Sequence, residues 1–138
     1  MNESRRQLCI SLPMLMASTA FADDAKALQS FIDPFERLPA KQNATGTSRA
    51  ILDGSTHSGD HIEVHETTLD PGREPHPPHQ HVHEELFLIQ KGLLEVTIAG
   101  KTGKIGAGGA AFVHSGELHG VRNIGSEDAQ YFVVAFGL

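Results

Sequence analysis

Imidazole and carboxylate side chains crowd one short stretch of this chain, where His79-Gln80-His81 is followed after three residues by Glu85. Alternate residues of an extended backbone point to the same side, so His79 and His81 share a face and Glu85, an even number of steps further, joins them. Two imidazoles and a carboxylate presented together suit a divalent cation, because neutral ring nitrogens and ionised carboxylate oxygens both offer lone pairs. His83 continues the same alternation and could coordinate in place of one of them. A fifth ligand would crowd the site, so His83 is read as a neighbour of the ligands. The only cysteine is Cys9, so a metal site in the body of the chain has to be built from His and carboxylates.

The remaining histidines read differently. His76 lies in Pro75-His76-Pro77-Pro78, a stiff extended lead-in, and is expected to be solvated. His114 sits near a turn and is the one weak candidate for a catalytic role, as a proton shuttle. His57, His61 and His65 recur every fourth residue, a helical period, yet Ile62, Val64 and the Pro71-Gly72 that follows favour a strand, on which His61 and His65 share a face. No ligand role follows for them. Glu66, Glu84 and Glu117 are expected at the surface. Arg73 and Arg122 are the cations that could hold a carboxylate substrate, although Arg122 alternates with Val121 and is expected to point outward.

These groups need strands to position them. From residue 49 onward the chain alternates short apolar stretches with Gly, Pro and Asp, the texture of an all-β sandwich or barrel. About eight strands are expected, over 49–52, 62–69, 85–90, 93–98, 101–105, 110–113, 119–123 and 130–136. Lys91-Gly92 and Ala99-Gly100 fall where tight hairpins require positive φ, and Asp70-Pro71-Gly72 is a further turn. Phe87, Ile89, Val96, Ile98, Phe112, Val113, Phe132 and Val134 are expected to wall a pocket and fill the core.

Two segments together resemble the paired motifs of the cupin family. The first runs from Gly72 through His79-x-His81 and Glu85 to Gly92, with one residue more than usual between Gly72 and His79. The second runs from Gly108 through Gly116 to His119 and Asn123, with His114 in a position the family fills with proline. The resemblance covers residues 62–136. It implies a double-stranded β-helix, or jelly-roll barrel, with His79, His81, Glu85 and His119 as metal ligands in its mouth. Three imidazoles and one carboxylate suit one divalent transition metal, Fe, Mn, Ni, Cu or Zn, and leave one or two positions for water or substrate. The resemblance also implies a homodimer.

Residues 1–22 read as an export signal, with polar residues, an apolar run and Ala20-Phe21-Ala22 as a cleavage site; Ser4-Arg5-Arg6-Gln7-Leu8 is similar to a twin-arginine signal. The apolar run is interrupted by Pro13 and is too short to span a bilayer, which needs about 20 residues. A periplasmic or secreted mature chain without membrane attachment is expected. Residues 23–47 are read as a short amphipathic helix over 23–38 and a connector, and 48–138 as the barrel. With 138 residues and ordinary globular composition the chain has room for one core. Its net charge of −6 and scattered Lys and Arg exclude a nucleic-acid partner and leave a small-molecule ligand or substrate.

Two main functions fit: a metal-dependent enzyme of dioxygenase, isomerase or lyase type, in which the metal serves as Lewis acid or oxygen activator, or a non-catalytic periplasmic protein that binds metal or a small ligand. A structural or sensory barrel is a third.

Overall fold

The computed structural model describes residues 27–138. The expected export signal and Cys9 lie outside the described residues, as do residues 23–26 of the expected helix.

Among the described residues nine strands form two antiparallel sheets: β1 (Ala40–Asn43), β2 (Gly46–Ser55), β3 (His61–Leu69), β4 (Glu84–Lys91), β5 (Leu93–Ile98), β6 (Lys101–Gly106), β7 (Ala110–Val113), β8 (His119–Asn123) and β9 (Ala129–Phe136). Six of them make one sheet in the order β1-β2-β3-β9-β4-β7, and three make the other in the order β6-β5-β8. All eight expected strands are present, three with the expected bounds, four longer by a residue or two and β2 longer by six, and the crossing connections between sheets close them into a jelly-roll barrel.

The core lies between the sheets. Leu69, Phe87, Ile89, Val113, Ala129, Tyr131 and Val133 come from the large sheet and Leu94, Val96 and Val121 from the small one. Each large apolar side chain buried there contributes about 1.5–3 kcal/mol. Strand β9 shows why alternation matters: Ala129, Tyr131, Val133 and Ala135 point inward and are buried, and the residues between them are only partly covered. Of the eight residues expected to line the pocket and core, Phe87, Ile89, Val96 and Val113 are buried and Ile98 packs against them. Phe112, Phe132 and Val134 are instead on the outer face, where Phe112 stacks on Phe136 with centroids 6.1 Å apart.

The β4-β5 hairpin depends on Gly92, which has φ +87° and stands so close to Ala129 that a Cβ would lie 2.7 Å from its Cα. At the β5-β6 hairpin, Ala99 with φ 48° and Gly100 with φ 79° both adopt the left-handed conformation of a type I′ turn.

The N-terminal segment departs from expectation. Among the described residues the helix is reduced to a 3-10 turn at Phe35–Arg37. Pro34 and Leu38 flank it in extended conformation, Leu38 because Pro39 follows and disfavours helical backbone in the residue before it. Earlier, Leu28 donates its N–H to the Ser55 carbonyl at 2.8 Å, so the chain runs extended beside the end of β2. The expected connector between helix and barrel is likewise partly strand: β1 and β2 meet at a turn, with Asn43 opposite Gly46.

Candidate metal centre

The segment leading to His79 is held against β8 from end to end. The Gly72 N–H donates to the Asn123 carbonyl and the Asn123 N–H to the Arg73 carbonyl, both at 2.9 Å. Seven residues later His79 and His119 exchange a reciprocal pair of backbone hydrogen bonds, also 2.9 Å, and the Gly116 N–H reaches the His81 carbonyl at 2.8 Å. Gly120 permits this approach, since a Cβ there would come to 3.0 Å from Pro78 Cγ. His79 and His81 therefore lie in an irregular strap and not on a regular strand, but the strap delivers them to His119 at the start of β8.

The rings converge. Ring centroids are 4.6 Å apart for His79 and His119, 4.8 Å for His81 and His119, and 5.1 Å for His79 and His81. One ligand-capable nitrogen from each of the three lies within 4.8 Å of the others. Glu85, second residue of β4, brings Oε1 to 3.3 Å from His81 Nε2 and Oε2 to 3.3 Å from His119 Nε2.

Hydrogen bonds fix which nitrogens are free. His81 Nδ1 lies 2.9 Å from the His83 carbonyl and His119 Nδ1 2.9 Å from the Glu117 carbonyl. A carbonyl only accepts, so both Nδ1 atoms carry hydrogen and the neutral rings present bare Nε2 lone pairs. Those two Nε2 atoms and His79 Nδ1 are buried without any hydrogen-bond partner. Unpaired buried nitrogens beside a carboxylate are costly as they stand, because lone pairs face lone pairs. A cation resolves the conflict. The 3.3 Å spacing between carboxylate oxygens and ring nitrogens is also close to that of neighbouring ligand atoms about a metal with bonds of about 2.1 Å. Burial, followed by the neighbouring His76, His119 and His81, lowers the His79 pKa below 6.5 against an opposing effect of Glu85, which favours the neutral ring.

The other histidines divide as follows. His83 stacks on His81, with centroids 3.5 Å apart and planes within 6°, and its Nε2 lies 3.4 Å from Glu85 Oε1. His81, His83 and Glu85 therefore form a second group that could hold an ion. His76 is exposed as expected but sets its ring edge against His79 at 4.2 Å. His114 is not brought to the cluster; its exposed ring faces Glu84 at 3.8 Å and bonds the Ser115 carbonyl.

A cavity of about 230 Å³ opens beside Glu85 and His119. Phe87, Val121, Tyr131 and Val133 give it an apolar side, and Asn43, Thr45, Ser48, His65, Thr67, Thr68 and His76 a polar one. Tyr131 is almost wholly buried, which pushes its phenol pKa far up and keeps it a proton donor; a Thr67 hydrogen bond opposes the shift and the Glu85 and Glu66 charges add to it. Among the described residues no Lys or Arg lines the cavity. Arg122 points outward, as expected, into a separate cleft with Glu74 and Glu95, and Arg73 is exposed.

Glu66 corrects the expectation of a surface carboxylate. It is fully buried on the outer face of β3, takes a hydrogen bond from Thr68 Oγ1 at 2.7 Å and pairs with Arg49 Nη1 at 2.9 Å. Arg49 stands directly across on β2, and the Phe35 ring caps it with a cation-π contact of 4.5 Å. Tyr131 was not singled out in the sequence, and His65 was given no functional role there. The signal that could have found them is period two, since Tyr131 alternates with the apolar residues of β9 and His65 with Thr67 and Leu69 of β3.

The cupin domain model matches residues 65–135. The chain belongs to the cupin family. No curated protein sequence matches it. Among solved structures, KdgF from Halomonas sp. is 18% identical with a TM-score of 0.68, covering 80% of this chain and 96% of that one. The polyketide cyclase RemF from Streptomyces resistomycificus is 22% identical with a TM-score of 0.65, covering 78% and 80%. A predicted oxalate decarboxylase from Thermotoga maritima is 21% identical with a TM-score of 0.65, covering 78% and 100%. These likenesses bear on the fold.

Proposed function

We propose that His79, His81, Glu85 and His119 hold one divalent transition metal, Fe, Mn, Ni, Cu or Zn, and that the protein is a metal-dependent enzyme acting on a small organic molecule in the adjoining cavity. The reaction is of dioxygenase, isomerase or lyase type. The observation that carries this reading is the trio of buried, unpartnered ring nitrogens, two of them 3.3 Å from the Glu85 carboxylate. The metal supplies Lewis-acid or oxygen-activating chemistry when bound.

The chain's own residues do the rest. Backbone carbonyls of His83 and Glu117 hold the rings of His81 and His119 in orientation. Phe87, Val121 and Val133 exclude water from one side of the ligand, and the Tyr131 phenol donates a hydrogen bond to it. A cavity of this size takes a ligand smaller than a drug-sized molecule, whose pockets start at about 300 Å³. Export by residues 1–22 would deliver the enzyme to the periplasm or medium.

Thermal unfolding with and without metal tests the reading. Metal at a thousandfold excess over its Kd stabilises the native state by about 4 kcal/mol, so chelator is expected to lower Tm by more than 10 °C and added metal to restore it. A Tm indifferent to both would refute it.

A further inference from the structure

One titratable pair outside the four central groups has a member, His65, in the wall of the same cavity. His65 and Glu63 alternate along β3, and His65 lines the cavity with Thr67 on the same strand. His65 Nδ1 lies 3.2 Å from Glu63 Oε1, and both side chains are partly exposed, 29% and 43%. An ionised carboxylate only accepts, so Nδ1 carries the hydrogen and Nε2 of the neutral ring is left as a free base. Among the described residues no other hydrogen bond to this ring is made. A histidine in a cavity wall, held by a carboxylate through one nitrogen and with the other left unbonded, is an arrangement suited to proton transfer.

We propose that His65 is the proton acceptor of this cavity, with Glu63 as the positioning residue, and that the ligand it serves is a small hydroxylated molecule. The ligand hydroxyl gives its proton to His65 Nε2: the O–H bond breaks, its electron pair stays on oxygen, an N–H bond forms, and the imidazolium charge meets the Glu63 carboxylate. The ligand class follows from the lining, which offers Thr67 and Ser48 hydroxyls and the Asn43 amide but, among the described residues, no Lys or Arg to pair with an anion. The site is the one proposed above to hold metal, and the assignment rests on that reading for where the ionised oxygen is stabilised.

Ring-nitrogen NMR of isotope-labelled histidine in the metal-free protein tests the pair first. His65 is expected in the Nδ1–H tautomer, and Glu63→Ala is expected to move it toward Nε2–H. Zinc-loaded protein is then titrated with nitrocatechol, whose absorption reports loss of its hydroxyl proton. The wild type is expected to bind the dye in ionised form while the His65 resonances shift to those of imidazolium. His65→Gln is expected to weaken binding about tenfold, the loss of one charge-assisted hydrogen bond, with zinc content unchanged. An Nε2–H tautomer in the wild type, no dye binding, or equal ionisation of the dye by His65→Gln would each overturn the assignment. Failure to take up zinc, with the Nδ1–H tautomer and its change in Glu63→Ala as expected, would overturn the metal reading and leave the His65–Glu63 pair standing.

Discussion

Replacing Asn123 by aspartate exchanges one amide NH₂ for an oxygen, yet it is expected to cost the protein about 3 kcal/mol. The Asn123 side chain is fully buried at the end of β8. Its Nδ2 donates to the carbonyls of Leu69 and Glu127, each at 2.8 Å, and its Oδ1 accepts from the Gly125 N–H at 2.9 Å. Aspartate keeps the shape and the acceptor but loses both donations, and it sets a carboxylate oxygen against two carbonyl oxygens. Each buried acceptor left unpaired costs about 1–3 kcal/mol. For a domain of this size about 4 °C of Tm accompanies each kcal/mol, so a fall of about 12 °C is expected in thermal unfolding of the metal-free protein. Glu127→Gln is the control, because Glu127 is exposed and its 4.0 Å approach to Lys91 contributes little; it should leave Tm within about 2 °C. An aspartate variant within about 1 kcal/mol of wild type would refute the hydrogen-bond account of Asn123.

Other expectations follow from named contacts. Arg49→Met strips the partner from fully buried Glu66 and should cost about 3 kcal/mol or more in urea unfolding, whereas the double variant with Glu66→Leu should recover much of that loss; equal stability of the single variant and wild type would contradict it. Ala99→Asn places a residue tolerant of positive φ in the type I′ turn and should raise stability by up to about 1 kcal/mol, read as a small gain in Tm. In metal-free protein the unfolded chain binds a proton at His79 more readily than the native chain, because burial and the adjacent imidazoles lower the native pKa below 6.5. The stability present above pH 6.5 is therefore lost as pH falls through the lowered value, and His79→Gln should flatten that limb of the stability-pH curve.

Much of this architecture was readable in the sequence because its signals are local. Gly92 and Ala99-Gly100 mark hairpins by their backbone requirement, and β-branched and aromatic residues between turns mark strands, so the expected strands fell within a residue or two of those observed in most cases. The two motifs also named the groups that converge. What sequence could not give depends on distant chain. Glu66 reads as polar, and its burial arises from Arg49 opposite it and Phe35 above that guanidinium. Period two assigns Phe112, Phe132 and Val134 to a face but does not say that the face is the outer one. The apolar spacing over 23–38 resembles a helix, but Pro34 and Pro39 and the pairing of Leu28 with Ser55 leave only a 3-10 turn among the described residues. The His79-Gln80-His81 strap reaches the right place for a different reason than strand alternation, namely its backbone bonds to Gly116 and His119.

Elemental analysis of the purified protein beside its His79→Ala, Glu85→Ala and His119→Ala variants tests the proposed centre most directly. The wild type should carry about one divalent transition metal per chain, and the variants, each missing one ligand of the set, should retain little after dialysis against a weak chelator. Wild-type metal content in His79→Ala and His119→Ala alike would show that the ion, if bound at all, is held elsewhere.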